Sequence, residues 1–438
     1  MSSPQNRRRV LVLADQAASS LSNVVVAVLV ARSFPDVIEP FAAFSLAIMV
    51  FQFLVGCVRG LIFEPLLALY SDRPGADRLA LVPGYLGATL TVGAVVAGLV
   101  AVAGLGVGGM AGSALLVLAI VLPLVLVQDA WRYMFVIDRP GAALVIDVVW
   151  LGTSCAAIVL APDGVGVGWY VLAWGAGGAL GASVATTIGR RSLGRLRAWS
   201  YLVGSRALGL RFLGEYVTAQ AGNYLALLAC GWMLGLTAYG AVRAGNFYFG
   251  PLFTLQAGVI LSVLPEGARL RDHPDRLARL IRGATAVVGL ATLAWTAVGL
   301  VVPDSFGRAL FGATWAEADD LLLPMGLAMT AMAMITGGLV GVRSLDGTKG
   351  LGARLRTIPF QLVCPIAGGM AGDVMGFAIG MAVGQAIGAG VWWTTFLRLL
   401  AARRAALATE GISASDAAVT AGDPMPATPG VVAVVDEV

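Results

Sequence analysis

The chain has 438 residues, of which 58% are hydrophobic and 12% charged, with a net charge of +4 and a mean hydropathy of +0.85. A soluble domain carries roughly 25% charged residues, so this composition excludes one and points to a protein of many membrane spans. A single histidine, His273, and four scattered cysteines, Cys57, Cys155, Cys230 and Cys364, exclude a histidine-based catalytic or metal centre inside the membrane and a disulfide framework.

The basic start MSSPQNRRR leads into VLVLADQAASSLSNVVVAVLVAR, residues 10–32. A secretory signal would show a shorter apolar core and a cleavage site before a soluble domain, so this segment is read as a retained first helix. Asp15, Gln16, Ser19, Ser20, Ser22 and Asn23 lie inside it. Gln16, Ser20 and Asn23, with the others beside them, follow the spacing of one helical face and form a polar stripe. Lipid offers such groups no partner, so the stripe is expected to face a bundle interior or a wet cavity. Hydrogen bonding to neighbouring helices as packing glue is the plainer alternative.

Hydropathy places further spans near 40–63, 80–104, 113–136, 141–161, 166–189, 212–236, 244–266, 281–302, 320–342, 355–372 and 375–397. The expected fold class is all-α: a polytopic membrane protein of about 12 transmembrane helices. Of the 29 basic residues, all but Arg32, Arg243 and Arg308 fall at the N-terminus, in every second connection, or at the adjoining span ends. The positive-inside rule then puts both termini in the cytoplasm. No outer connection is large enough to fold alone; the longest is VPDSFGRALFGATWAEADD.

The connection RRSLGRLRAWSYLVGSRALGLR, 190–211, carries six arginines among Leu, Trp and Tyr. It is expected to lie on the membrane surface as an amphipathic linker drawn to anionic lipid. It divides the chain into a six-helix lobe over 1–189 and another over 212–400, with an Ala/Thr/Pro/Asp-rich tail, 401–438, read as disordered. Offset by 200 residues, Asp15 meets Glu215, Asn23 meets Asn223, Pro65 meets Pro265 and Asp72 meets Asp272. An even number of spans per lobe makes this a parallel repeat, with a site expected between the lobes near the midplane. The seventh span repeats the polar pattern of the first with Glu215, Thr218, Gln220 and Asn223.

Charges inside spans need explanations, because each costs ~2.5–3.5 kcal/mol on insertion scales at the bilayer centre. Arg59 lies near the inner end of the second span with Gln52 two turns away; its alternative is snorkelling to the headgroups. Arg243 opens the eighth span from the outer side, against the charge bias, with Asn246 one turn on and Gln256 deeper. It is the leading candidate for an anion contact, since a guanidinium stays charged and offers two parallel hydrogen bonds to a phosphate. Asp15, Asp147 and Glu215 are candidates for ion coupling, with structural pairing as the alternative. Asp129 and Arg132, three residues apart, are expected to pair with each other.

LADQAASSLSNVVVAVLVARSF, QDAWRYMFVIDRPGAALVIDVVW, GAVRAGNFYFGPLFTLQAGVILSVLPEGARL and LFGATWAEADDLLLPMGLAM resemble blocks of the multidrug/oligosaccharidyl-lipid/polysaccharide (MOP) exporter superfamily, on its polysaccharide-flippase branch. The resemblance runs in order over about 13–400. It implies two six-helix lobes in a V around a central cavity that opens alternately to either side of the bacterial plasma membrane. It also implies the substrate, a polyprenyl-pyrophosphate-linked oligosaccharide, with Arg59 and Arg243 at positions matching cavity arginines. The first span departs from some relatives by carrying Asp15 and Gln16 where they place basic residues.

The expected cavity set is Arg243, Arg59, Asn223, Asn246, Gln52, Gln16, Asn23 and Gln220. A cation-coupled multidrug or metabolite antiporter of the same fold is the first rival, kept open by Asp15 and Glu215. A membrane glycosyltransferase or polymerase is the second; the long outer connection offers it only Glu317, Asp319 and Asp320, without histidine. A non-transporting scaffold completes the alternatives. The expected partners are the lipid-linked glycan, anionic lipid at the linker, and a polysaccharide polymerase or glycosyltransferase. Nothing in the sequence calls for a cofactor, a metal or a nucleic acid.

Overall fold

The computed structural model describes residue 22, residues 24–70 and residues 80–420. Backbone groups in hydrocarbon must bond within their own segment, and the chain obeys this with helices alone; no strand occurs among the described residues. In chain order the helices are α1 (Val24–Ser33), α2 (Glu39–Val58), α3 (Glu64–Tyr70), α4 (Val82–Val107), α5 (Gly109–Asp138), α6 (Pro140–Val159) and α7 (Val167–Gly189). They continue as α8 (Ala198–Met233), α9 (Gly235–Tyr248), α10 (Gly250–Arg269), α11 (Pro274–Val301), α12 (Asp304–Phe311), α13 (Ala313–Asp319), α14 (Leu322–Leu345) and α15 (Lys349–Thr420). Nine helices among the described residues are long and apolar enough to cross a membrane. The chain is a multi-pass membrane protein. One of the nine, α15, folds back at Gly372 and Asp373 and so carries two of the expected spans.

Three boundaries differ from the sequence reading. The eighth span begins earlier, as α9, and is broken from α10 at Phe249. Its first turns, GLTAYGAVRAG, are too polar for a hydropathy window to include. In the linker, a short turn at Arg190–Ser192 is followed from Ala198 by a helix that runs unbroken to Met233, so its second half is the start of the seventh span. The helix of the twelfth span continues to Thr420, well into the segment expected to be a tail; 421–438 lie outside the described residues.

In the N-terminal half, α5 is central and packs against α2, α4, α6 and α7. Glycines of α7 make this possible: a Cβ at Gly178 would meet Val125 at 2.9 Å, and one at Gly177 would meet Trp150 O at 2.7 Å. Trp150 donates its indole N–H to Trp174 O at 2.8 Å, and Trp131 donates to Thr186 Oγ1 at 3.1 Å. In the C-terminal half, α14 takes the central role against α10, α11 and α15, with Gly338 and Gly341 facing Trp392 and Phe396 of the second arm.

The halves meet along α2. Pro65 has no N–H for the Leu61 carbonyl, and just upstream the ladder widens to a π turn, Arg59–Phe63, in which the Glu64 N–H reaches Arg59 O. Helix α8 lies against this turn: Gly209 faces the Leu61 carbonyl, and a Cβ on Gly60 would sit 3.1 Å from Leu213 N. The Tyr201 hydroxyl donates to Ile62 O at 2.8 Å and that of Tyr216 to Gln52 O at 3.2 Å. Toward the other end of α2, Thr237 donates to Glu39 Oε1 at 3.0 Å, and Phe41 meets Phe247 edge-on with centroids 6.0 Å apart.

Beyond the last span, Arg403 Nη2 donates to Asp272 Oδ1 at 2.5 Å and Arg404 Nη2 to Asp275 Oδ1 at 2.6 Å. These bonds tie α15, past its second span, to the connection between α10 and α11 and to the first turn of α11. The Arg403 hydrogen bond holds the Asp272 carboxyl below the usual carboxylate range. A depressed carboxylate contributes its full share above its unfolded pKa and loses it as pH falls through the folded value. A spin-label distance across this tie is therefore expected to stay constant near neutrality and to lengthen only below about pH 3.9, the ordinary aspartate value.

Candidate functional site

Arg59, at the head of the π turn, is held by Asp129 of α5 through two parallel hydrogen bonds, Nε to Oδ2 at 2.9 Å and Nη2 to Oδ1 at 2.5 Å. Its guanidinium also lies 5.2 Å from the Tyr133 ring centroid. The Asp129 side chain is 5% exposed and that of Arg59 32%. This corrects the expectation that Asp129 pairs with Arg132. Asp129 takes Arg59 from α2, and Arg132 takes Asp147 of α6 at 2.7 Å, with Gln128 donating to Asp147 Oδ1 at 2.9 Å. Sequence proximity suggested the i,i+3 pair, but α5 presents the two side chains to different neighbours. Asp147 is therefore engaged by an arginine and an amide.

Arg243 has the opposite surroundings. Because α9 starts at Gly235, Arg243 lies eight residues, about 12 Å, along its helix and does not open it. The residue is 7% exposed, its guanidinium stacks 5.0 Å from the Phe247 ring, and its Nε is sealed without a hydrogen-bond partner. No carboxylate pairs with it among the described residues. Tyr224 and Tyr239 are within electrostatic range.

Helix α8 links the two arginines. The hydroxyls of Tyr216 and Tyr224 approach each other, Tyr216 senses Arg59, Tyr224 senses Arg243, and Phe53 packs on both rings at 6.0 and 5.2 Å. Gln220 and Asn223 share this face, since residues four and seven or eight beyond Tyr216 return to one side of a helix. Gln220, Asn223, Asn246 and Gln52 are each partly exposed, and their side-chain amides bond to no described residue.

Glu215 and Thr218 turn away from this face. At about 100° per residue Glu215 is about 140° from Gln220 and about 80° from Asn223, and it is exposed and paired with Arg211 at 3.2 Å. Thr218 returns its hydroxyl to Gly214 O at 2.7 Å on its own helix. Gln256 is buried and accepts from Thr336 at 3.2 Å. Asp15, Gln16, Asn23 and Asp72 lie outside the described residues.

The structure thus groups Arg59, Gln52, Gln220, Asn223 and Arg243 around α8, with Asn246 one turn past Arg243. It adds Asp129, Tyr216 and Tyr224, which the sequence reading did not place in the site. The tyrosines had a signal: they fall on the Gln220–Asn223 face of EYVTAQAGNY. Asp129 had none, because its partner is seventy residues away. Clefts among the described residues lie elsewhere, for example one of about 460 Å³ beside Arg32, Asp163 and Tyr170, and one of about 560 Å³ lined by Thr330, Met334 and Trp393. The site is defined by its side chains. No group of three His, Cys, Asp or Glu suited to a metal gathers among the described residues. In the connection between α11 and α14, burial and the neighbouring Asp304 and Asp320 raise the Asp319 carboxyl above its ordinary value.

Superposed on solved structures, the chain matches an inward-facing multidrug resistance MATE family transporter of the MOP superfamily with a TM-score of 0.71 at 14% identity, over 90% of this chain and 98% of that one. The chain has the MOP superfamily fold. The lipid II flippase MurJ, in an inward closed conformation, matches with a TM-score of 0.67 at 13% identity over 92% and 93%. A MOP superfamily transporter from Pyrococcus furiosus matches at 0.59 and 13%, over 90% and 95%. No protein-family model matches the sequence, and no curated protein matches it. Drug transporter and lipid flippase thus share the MOP fold found here, and fold alone does not choose between them.

Proposed function

We propose that this chain moves a polyprenyl-pyrophosphate-linked oligosaccharide across the bacterial plasma membrane by alternating access between two six-helix lobes, with both termini cytoplasmic. The observation that carries the reading is Arg243: a buried cation with no carboxylate partner among the described residues, beside amides that bond to no described residue, on a helix of the lobe interface. A charge so placed is costly unless something pairs with it, and a guanidinium pairs best with a planar pair of oxygens such as a phosphoryl group presents. Asn223, Asn246, Gln220 and Gln52 supply donors and acceptors of the kind sugar hydroxyls need. The prenyl chain can remain in lipid while the polar head passes between the lobes. A transporter of this kind needs no catalytic cluster.

Drug antiport on the same fold calls for an unneutralised carboxylate facing a cationic substrate. Among the described residues of the N-terminal half, the two buried aspartates, Asp129 and Asp147, already hold arginines.

The test is reconstitution in liposomes with a fluorescent polyprenyl-pyrophosphate glycan. Arg243→Ala is expected to slow translocation roughly 10- to 100-fold, the equivalent of one or two charge-assisted hydrogen bonds, with folded protein unchanged. Normal flipping by this variant, or drug extrusion by the wild type without any glycan flipping, would overturn the reading.

A further inference from the structure

We propose that Arg354, on the first arm of α15, is a phosphoryl-binding residue on the C-terminal half, at the cytoplasmic approach to the site around α8. Five residues beyond Lys349, it stands about 8 Å along its helix, where a lipid-facing arginine would turn to the headgroups. It turns inward instead. Its Nη1 donates to Ala219 O of α8 at 3.3 Å, and its guanidinium lies 5.5 Å from the ring centroid of Trp392, which is 1% exposed.

No carboxylate pairs with Arg354 among the described residues. Among the described residues, another cation, Arg343 at the end of α14, lies in electrostatic range. Arg354 is partly buried while Arg343 is exposed; two cations in electrostatic range repel, and an anion bound at Arg354 relieves that repulsion. The remaining guanidinium N–H groups of Arg354 have no partner among the described residues and are not sealed off, so an anion can reach them.

The position ties this cation to the site. Ala219 precedes Gln220, so Arg354 meets α8 at the same turn that carries the free amides. Two turns further along the same arm, Gln361 lies against Gly222 and donates to Gln385 Oε1 at 2.8 Å. Arg354 and Arg243 thus lie on separate elements with Gln220 and Asn223 on the helix between them, an arrangement suited to a phosphorylated head passed from one guanidinium to the next. That the anion is the pyrophosphate of a lipid-linked glycan rests on the transport reading above; that Arg354 binds a phosphoryl group does not.

The experiment titrates inorganic pyrophosphate into the purified full-length protein in detergent by calorimetry. It compares the wild type with Arg354→Gln, Arg354→Lys and the exposed control Arg279→Gln, with a melting curve for each. Arg354→Gln is expected to weaken binding about tenfold or more, the worth of one charge-assisted hydrogen bond. Arg354→Lys is expected to retain part of the affinity, and Arg279→Gln all of it. Unchanged binding in Arg354→Gln overturns the proposal. So does an equal loss in Arg354→Lys together with a lowered melting temperature, which would make the residue only a brace between α8 and α15.

The liposome assay separates the sources of the anion. Loss of pyrophosphate binding with slowed glycan flipping supports a lipid-linked head, and loss of binding with normal flipping supports a free phosphate ligand. A wild type that binds pyrophosphate through Arg354 but flips no glycan leaves this site standing and removes the transport reading.

Discussion

Arg59→Ala is expected to destabilise the protein by about 3–5 kcal/mol, toward the lower end, because it strands a carboxylate. Asp129 is 5% exposed, and both its oxygens are bonded to the Arg59 guanidinium. Without that partner it must either keep an uncompensated charge or take up a proton, and both cost free energy. Replacing both residues, as in Arg59→Met with Asp129→Leu, is expected to recover most of the loss, since removing a buried pair together leaves no charge behind. Unfolding of the two single variants and the double variant in mixed micelles measures the coupling; additive losses would show that the pair carries no mutual stabilisation. The consequence for function is direct. A transport defect in Arg59→Ala alone reports on stability as well as on substrate, whereas Arg243→Ala, which strands no carboxylate among the described residues, reports on the anion contact.

This asymmetry was only half visible in the sequence. Both arginines stood out, because a cation in an apolar span is rare whatever its surroundings. What distinguishes them is a partner, and partners come from other helices: Asp129 is seventy residues from Arg59, and Asp147 reaches Arg132 from the next helix. Helical periodicity is a local rule, so the only pairing it could suggest was Asp129 with Arg132, and tertiary packing overrode it.

The spans themselves were legible because lipid imposes a strong and simple demand on composition. Where the fold departs from the expected boundaries, that demand is weakest. GLTAYGAVRAG is helical yet too polar for a hydropathy window, so Arg243 looked like the mouth of a span when it lies well along a helix. In the same way, 198–211 looked like surface linker because its arginines mask the continuous helix that runs into the seventh span. The expected α8 stripe joined Gln220 and Asn223 to Glu215, which pairs with Arg211, and Thr218, which bonds its own helix; in the structure Tyr216 and Tyr224 stand beside Gln220 and Asn223 instead.

Gly380→Leu is expected to be the most damaging single substitution in the C-terminal half. Along the second arm of α15, glycines recur every fourth residue at Gly376, Gly380, Gly384 and Gly388. Each faces the first arm, in pairs that step away from the turn at Gly372: Gly376 against the Gly368 carbonyl, Gly380 against the Cys364 carbonyl, Gly384 with a Cβ position 2.5 Å from Phe360 O, and Gly388 2.6 Å from Thr357 Cγ2. Small residues at this spacing let two helix backbones approach closely in lipid, where dispersion and packing replace the hydrophobic effect. At Gly380 the obstacle is backbone, including Pro365 Cα at 2.8 Å, and backbone cannot turn aside as a side chain can. A leucine there must push the arms apart, which costs at least the 1–3 kcal/mol typical of overpacking, roughly, and forfeits contacts along the whole seam. The Gln361–Gln385 hydrogen bond crosses the same seam, and Arg354 sits on the displaced arm. Gly380→Leu is therefore expected to lower the melting temperature and pyrophosphate affinity together. Gly390→Leu, where a Cβ meets nothing within 4 Å, should leave both within measurement error, a change of about 0.5 kcal/mol or less. If both variants melt like the wild type, the two arms are not held by close backbone approach.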